Sequence, residues 1–116
     1  MNIEIKEQNG TYVGILSGWL DTNESSQFIE DLKVLEENID KPIVLDCKNL
    51  EYICSLALRG LLKLKKESAA KGGRLVLRNV EGEVRNILTL TGFIKLFDFE
   101  YPPPMSSVLS AAGASR

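Results

Sequence analysis

The chain contains no histidine. That removes the commonest general base near neutral pH and the commonest metal ligand. Cysteine is scarce as well. The two present, Cys47 and Cys54, lack Cys-x-x-Cys spacing and have no histidine partners. A zinc site is therefore not expected, and reduced, packed thiols of a cytosolic protein are the better reading. No apolar stretch reaches the length of a membrane span. The first ten residues, MNIEIKEQNG, lack the apolar run of a signal peptide. These absences point to the cytoplasm, without membrane insertion. Neither charge dominates: 14 Lys and Arg stand against 16 Asp and Glu, a net charge of -2. Nucleic-acid binding normally needs a basic surface, so it is not expected. Phosphate-binding glycine loops and Ser/His or Cys/His sets are also missing. Neither an enzyme nor a bound cofactor or metal is expected.

What is present is the pattern of one α/β domain. The 116 residues, 44% hydrophobic and 26% charged, suit a single core. Ile3 and Ile5 alternate with Glu4 and Lys6, as in a half-buried strand. Asn9-Gly10 follows, a strong hairpin signal, because both residues accept positive φ. Residues 11–17 read as the second strand and residues 18–22 as a loop, with Asp21 or Thr22 capping the next helix. Phe28, Leu32, Leu35 and Ile39 make one stripe of a helix expected over 24–38. Pro42 opens a third strand. The helix after it should run from Ser55 to about Lys71, with Leu58, Leu61 and Leu62 inward and Lys63, Lys65 and Lys66 in water. Residues 74–79 read as a fourth strand and 81–90 as a helix with Val84, Ile87 and Leu88 inward. Gly72 and Gly92 stop the two helices. Residues 93–99 give a short apolar finish.

This order implies a mixed sheet of four to five strands, an amino-terminal antiparallel hairpin, parallel right-handed crossovers, and helices mainly on one face. The domain is expected over residues 1–100. Residues 101–116, in which Pro102, Pro103 and Pro104 end regular structure, are expected to be a flexible tail.

The most telling stretch is residues 42–62, PIVLDCKNLEYICSLALRGLL. Ile43-Val44-Leu45-Asp46, then Leu50 with Tyr52-Ile53, then Cys54-Ser55-Leu56-Ala57, resembles the central segment of STAS domains, the anti-sigma factor antagonists of bacterial partner switching. Gly18-Trp19-Leu20-Asp21-Thr22-Asn23 is similar to that family's Gly-x-Leu-Asp loop. Gly72-Gly73-Arg74-Leu75 and Leu90-Thr91-Gly92-Phe93 resemble its later turns. The resemblance runs from Ile3 to about Glu100. It implies a protein-binding module whose partner is an anti-sigma factor, often a serine kinase of the histidine-kinase ATPase fold. Weak self-association into a homodimer is also allowed. Carried over residue by residue, the partner surface comprises Asp21, Thr22, Cys54, Ser55, Leu56, Ala57 and Arg59.

One departure matters most. The family's loop usually reads Asp-Ser-Ser-Gly, and its second serine accepts a phosphate. Leu56 stands at that position and has no hydroxyl. Ser55 is then either a helix cap, bonding the N–H of Ala57 or Leu58, or a displaced phosphoacceptor, with capping the plainer role. Leu56 is either an exposed anchor or buried beneath the first helix. Trp19 is either a contact residue or part of the core. Arg59 pairs with a partner's acid or is simply solvated. Cys54, in the place of the family's aspartate, reads as buried rather than redox-active. The runner-up reading is a STAS subunit docked permanently in a transporter or signalling assembly, which would also suit Leu56. A small-ligand sensor is the weakest of the three.

Overall fold

A computed structural model describes residues 2–100. The tail expected over 101–116 lies outside the described residues. Ile3–Gln8 (β1) and Thr11–Leu20 (β2) form the antiparallel hairpin, with Asn9 and Gly10 both at positive φ in its turn. Then follow Thr22–Asp31 (α1), Lys33–Glu36 (α2), Pro42–Ile53 (β3), Ser55–Ala70 (α3), Arg74–Arg78 (β4), Gly82–Thr91 (α4), a single 3-10 turn at Phe93–Lys95, and Asp98–Glu100 (β5). The sheet order is β1-β2-β3-β4-β5, parallel throughout except for the opening hairpin. Gly72 and Gly92 lie just beyond the ends of α3 and α4, as expected.

Period-two alternation sorts the strand side chains. Leu16, Leu20, Ile43, Leu45, Cys47, Leu75 and Leu77 face the helices and are buried with Phe28, Leu35, Leu58, Leu61, Leu64, Val84 and Leu88. All the helical core residues join this one cluster, so the helices share one face of the sheet. The buried side chains of the opposite face form a small stripe of Val13, Val44 and Val76, with Ile15 beside it.

Three sequence expectations need correction. Residues 18–20 are not a loop: β2 continues through Gly18, Trp19 and Leu20 beside β3, pairing Trp19 with Tyr52 and Leu20 with Ile53. Two register shifts, between Ile15 and Ser17 and between Gly18 and Trp19, let both strands run on, and Gly18, at φ 73, sits at the second. The single helix expected over 24–38 is two. Leu35 N–H bonds back three residues to Leu32 at 2.9 Å, tightening the turn so that Phe28, Leu32 and Leu35 all reach the core. Lys65 is half-buried rather than fully solvated, 3.8 Å from Asp98.

Candidate functional site

Strand ends create the site. β2 and β3 lie side by side and stop together at Leu20 and Ile53, where the Cys54 N–H bonds the Leu20 carbonyl at 2.8 Å. Each strand passes to a helix through one residue. Asp21 caps α1 from an extended backbone, and its carboxylate accepts the Glu24 N–H at 3.0 Å. Cys54 caps α3, also extended, at φ -88 and ψ 166. Only this one residue separates β3 from α3, so the loop read into the sequence is minimal.

The Ser55 capping role is therefore a correction. Ser55 is the first helical residue, and the Leu58 N–H is taken by the Cys54 carbonyl at 3.1 Å. No side chain caps α3. Its first turn retains the partial positive charge of unpaired N–H groups, and Ser55 stands exposed there.

Leu56 resolves the other open question. Its side chain is 39% exposed in the first turn of α3 rather than buried. Ala57, by contrast, is fully buried and presents no side chain to a partner. Thr22 and Arg59 are exposed on α1 and α3. Cys54 is half-buried beneath them, its sulfur 3.0 Å from the hydroxyl of the fully buried Ser25. The fold thus gathers Asp21, Thr22, Cys54, Ser55, Leu56 and Arg59 around two neighbouring helix starts at one rim of the sheet.

Trp19, left open between contact and core, is 58% exposed. It stacks on Tyr52, with ring centroids 5.0 Å apart and planes 25° apart. The stack sits on the helix-free face, one residue before the two strands end. Tyr52 was not among the candidate residues. The two aromatics lie 33 positions apart in sequence, and only the parallel register joins them.

Asp46 is already engaged. It accepts the Lys48 N–H and the Asn79 side-chain amide, both at 3.0 Å, tying β3 to the turn after β4. Burial, and after it the charge of Asp46, pushes the Cys47 thiol up to about 12, so this cysteine stays protonated. Among the described residues, no three His, Cys, Asp or Glu side chains converge as a metal site would require. None of the described helices is long and apolar enough to cross a membrane.

Comparison with known proteins matches this geometry to one family. The STAS domain family model matches residues 2–112. A protein of Bordetella bronchiseptica named as the anti-sigma factor antagonist BtrV is 26% identical over 115 residues, covering 99% of this chain and 94% of its own. A Thermotoga maritima protein described as an anti-sigma factor antagonist superposes with a TM-score of 0.74 at 19% identity, covering 94% of this chain and 92% of its own. The same fold occurs within the murine anion transporter Slc26a9, with a TM-score of 0.65 and 16% identity, where the match spans 93% of this chain and 19% of the transporter. With its mixed sheet, one-sided helices and paired helix starts, the chain belongs to the STAS domain family.

Proposed function

We propose that this protein is an anti-sigma factor antagonist that works by binding, through a rim surface formed by Trp19, Asp21, Thr22, Ser55, Leu56 and Arg59. The observation that carries the reading is the exposed Leu56 in the first turn of α3. Fully burying a leucine side chain is worth about 1.5–3 kcal/mol. Covering the exposed part of Leu56 would gain about 1 kcal/mol, and a partner that also covered the Trp19 ring would add to this toward micromolar affinity, roughly 8 kcal/mol in all.

Leu56 also sets the mode of control. A phosphate at this helix start would place nearly two negative charges on the contact surface and oppose docking. Leucine accepts no phosphate, so the surface stays competent to bind. The anti-sigma factor partner is then held or released by its own state or abundance rather than by modification of this chain.

The test is pairwise binding calorimetry against the anti-sigma factors encoded in the source genome. One should bind with micromolar or tighter affinity, and Leu56→Glu should weaken it at least tenfold. Binding to none of them would end the proposal. Incubation of the pair with ATP, followed by phosphopeptide mapping, examines the second part: a phosphate on Ser55 would overturn the absence of a switch on this chain.

The exposed leucine suits a second reading too, permanent docking in a transporter or signalling assembly. Gene neighbourhood separates the two. An adjacent kinase-like anti-sigma factor favours the first, and an adjacent permease with its ATPase the second.

A further inference from the structure

A separate groove lies at the other side of the molecule's first hairpin. It measures about 320 Å³ and is lined by Ile3, Glu4, Ile5, Glu30, Asp31 and Val34. None of these residues belongs to the rim around Leu56. Two features of its walls restrict what fits.

The first is backbone. β1 is an edge strand, paired only with β2, so half its main-chain N–H and C=O groups point away from the sheet. Ile3, Glu4 and Ile5 are consecutive although their side chains alternate between faces, so the strand edge itself forms one wall of the groove. The matching element is an extended chain lying one strand spacing away, about 4.8 Å. The second feature is a split between apolar and acidic walls. Ile5 is half-buried, and Val34 on α2 is 46% exposed, a β-branched side chain left facing outward. Around them stand three carboxylates, Glu4, Glu30 and Asp31, and no cation is among the lining residues. Lys33 pairs with Glu30 at 2.8 Å from outside that lining, and Gln27 donates to Asp31 at 2.9 Å. The groove remains net acidic after both contacts.

We propose that this groove docks an extended segment of a partner protein, which adds to β1 as a sixth strand and turns apolar and basic side chains together toward α1 and α2. Strand addition supplies main-chain hydrogen bonds, and every second side chain supplies specificity. Toward the helices, its apolar side chains would cover Ile5 and Val34 and its basic ones would meet Glu30 and Asp31, while a basic side chain on the opposite face would meet Glu4. A second copy of this chain is the poorer occupant. Its own edge, IEIKEQ, brings two carboxylates against one ammonium and would place like charge in an acidic groove.

The test pans a library of displayed random decapeptides against the full chain. The enriched peptides should combine apolar residues with lysine or arginine at period-two spacing and should shift the amide NMR signals of β1 and of residues 30–34. Val34→Lys and Glu4→Lys, both at exposed positions, should each weaken them at least tenfold while leaving the melting temperature in place. Failure to enrich any peptide, enriched peptides with helical spacing or with shifts elsewhere, or affinities indifferent to both substitutions would each overturn the proposal. The Leu56→Glu variant should bind the selected peptides normally. Loss of rim binding and loss of groove binding are thus read separately.

Discussion

The hydroxyl of Ser25 and the thiol of Cys54 lie 3.0 Å apart, and the bond between them runs from sulfur to oxygen. The Ser25 proton is committed to the Asp21 carbonyl, 2.7 Å away, so Cys54 must be the donor. This short chain ties the cap of α1 to the cap of α3. Both helix starts that carry the proposed contact surface are therefore positioned by one buried serine, on a helix whose sequence marks it only as polar.

Ser25→Ala should cost about 1 kcal/mol in urea unfolding, the usual net value of one hydrogen bond. Ser25→Val should cost more, about 1–3 kcal/mol, because Ser25 is fully buried and added methyl groups must displace packed neighbours. Equal stability of the wild type and the valine variant would contradict this packing.

Trp19→Ala should separate binding from folding. The ring is mostly in solvent, so the loss of stability should stay within about 1 kcal/mol, the worth of an aromatic pair. Affinity for the anti-sigma factor should fall tenfold or more, in line with a tryptophan at the centre of a contact. Calorimetry with the partner and thermal melting of the free chain give the two numbers. Unchanged affinity would remove Trp19 from the surface.

Gly73→Ala should be among the most damaging small substitutions. A Cβ there would press on the backbone carbonyl of Ile39 and come within 2.8 Å of the Ser68 hydroxyl. The backbone at residue 39 cannot swing away as a side chain would. Overpacking of this kind costs about 1–3 kcal/mol, and each kcal/mol lowers the midpoint of a domain this size by roughly 4–8 °C. A differential scanning trace reads the shift directly.

Cys47 makes stability depend on alkaline pH. Its thiol titrates near 9.0 when unfolded and is pushed up to about 12 in the native chain, first by burial and then by Asp46. Above pH 9 the native state holds a proton that the unfolded state has released. The contribution is therefore present in full below about pH 9 and is lost as pH rises from there toward 12. The slope is about 1.4 kcal/mol per pH unit. Cys47→Ala loses core contacts at every pH but lacks this titration. The stability gap between wild type and variant should therefore narrow by roughly 2 kcal/mol from pH 8 to pH 10.5. A gap that stays constant would show that the thiol ionises freely.

The sequence by itself determined the order of strands and the long helices, the hairpin turn and the single core. Each of these is written locally: Ile3 and Ile5 alternate at period two, Asn9-Gly10 demands positive φ, and Leu58 and Leu61 repeat at helical spacing. It also marked the departure at Leu56, because a missing hydroxyl is legible without coordinates. Tertiary structure alone decided what the rim looks like. Whether Gly18, Trp19 and Leu20 are loop or strand depends on β3 running alongside them, a partner more than 30 residues away. The same register stacks Trp19 on Tyr52, leaves Leu56 in solvent while Ala57 beside it is buried, and moves the cap of α3 from Ser55 to Cys54. Local propensity is blind to these outcomes because each is fixed by contacts between segments distant in the chain, and such contacts form only when the sheet closes.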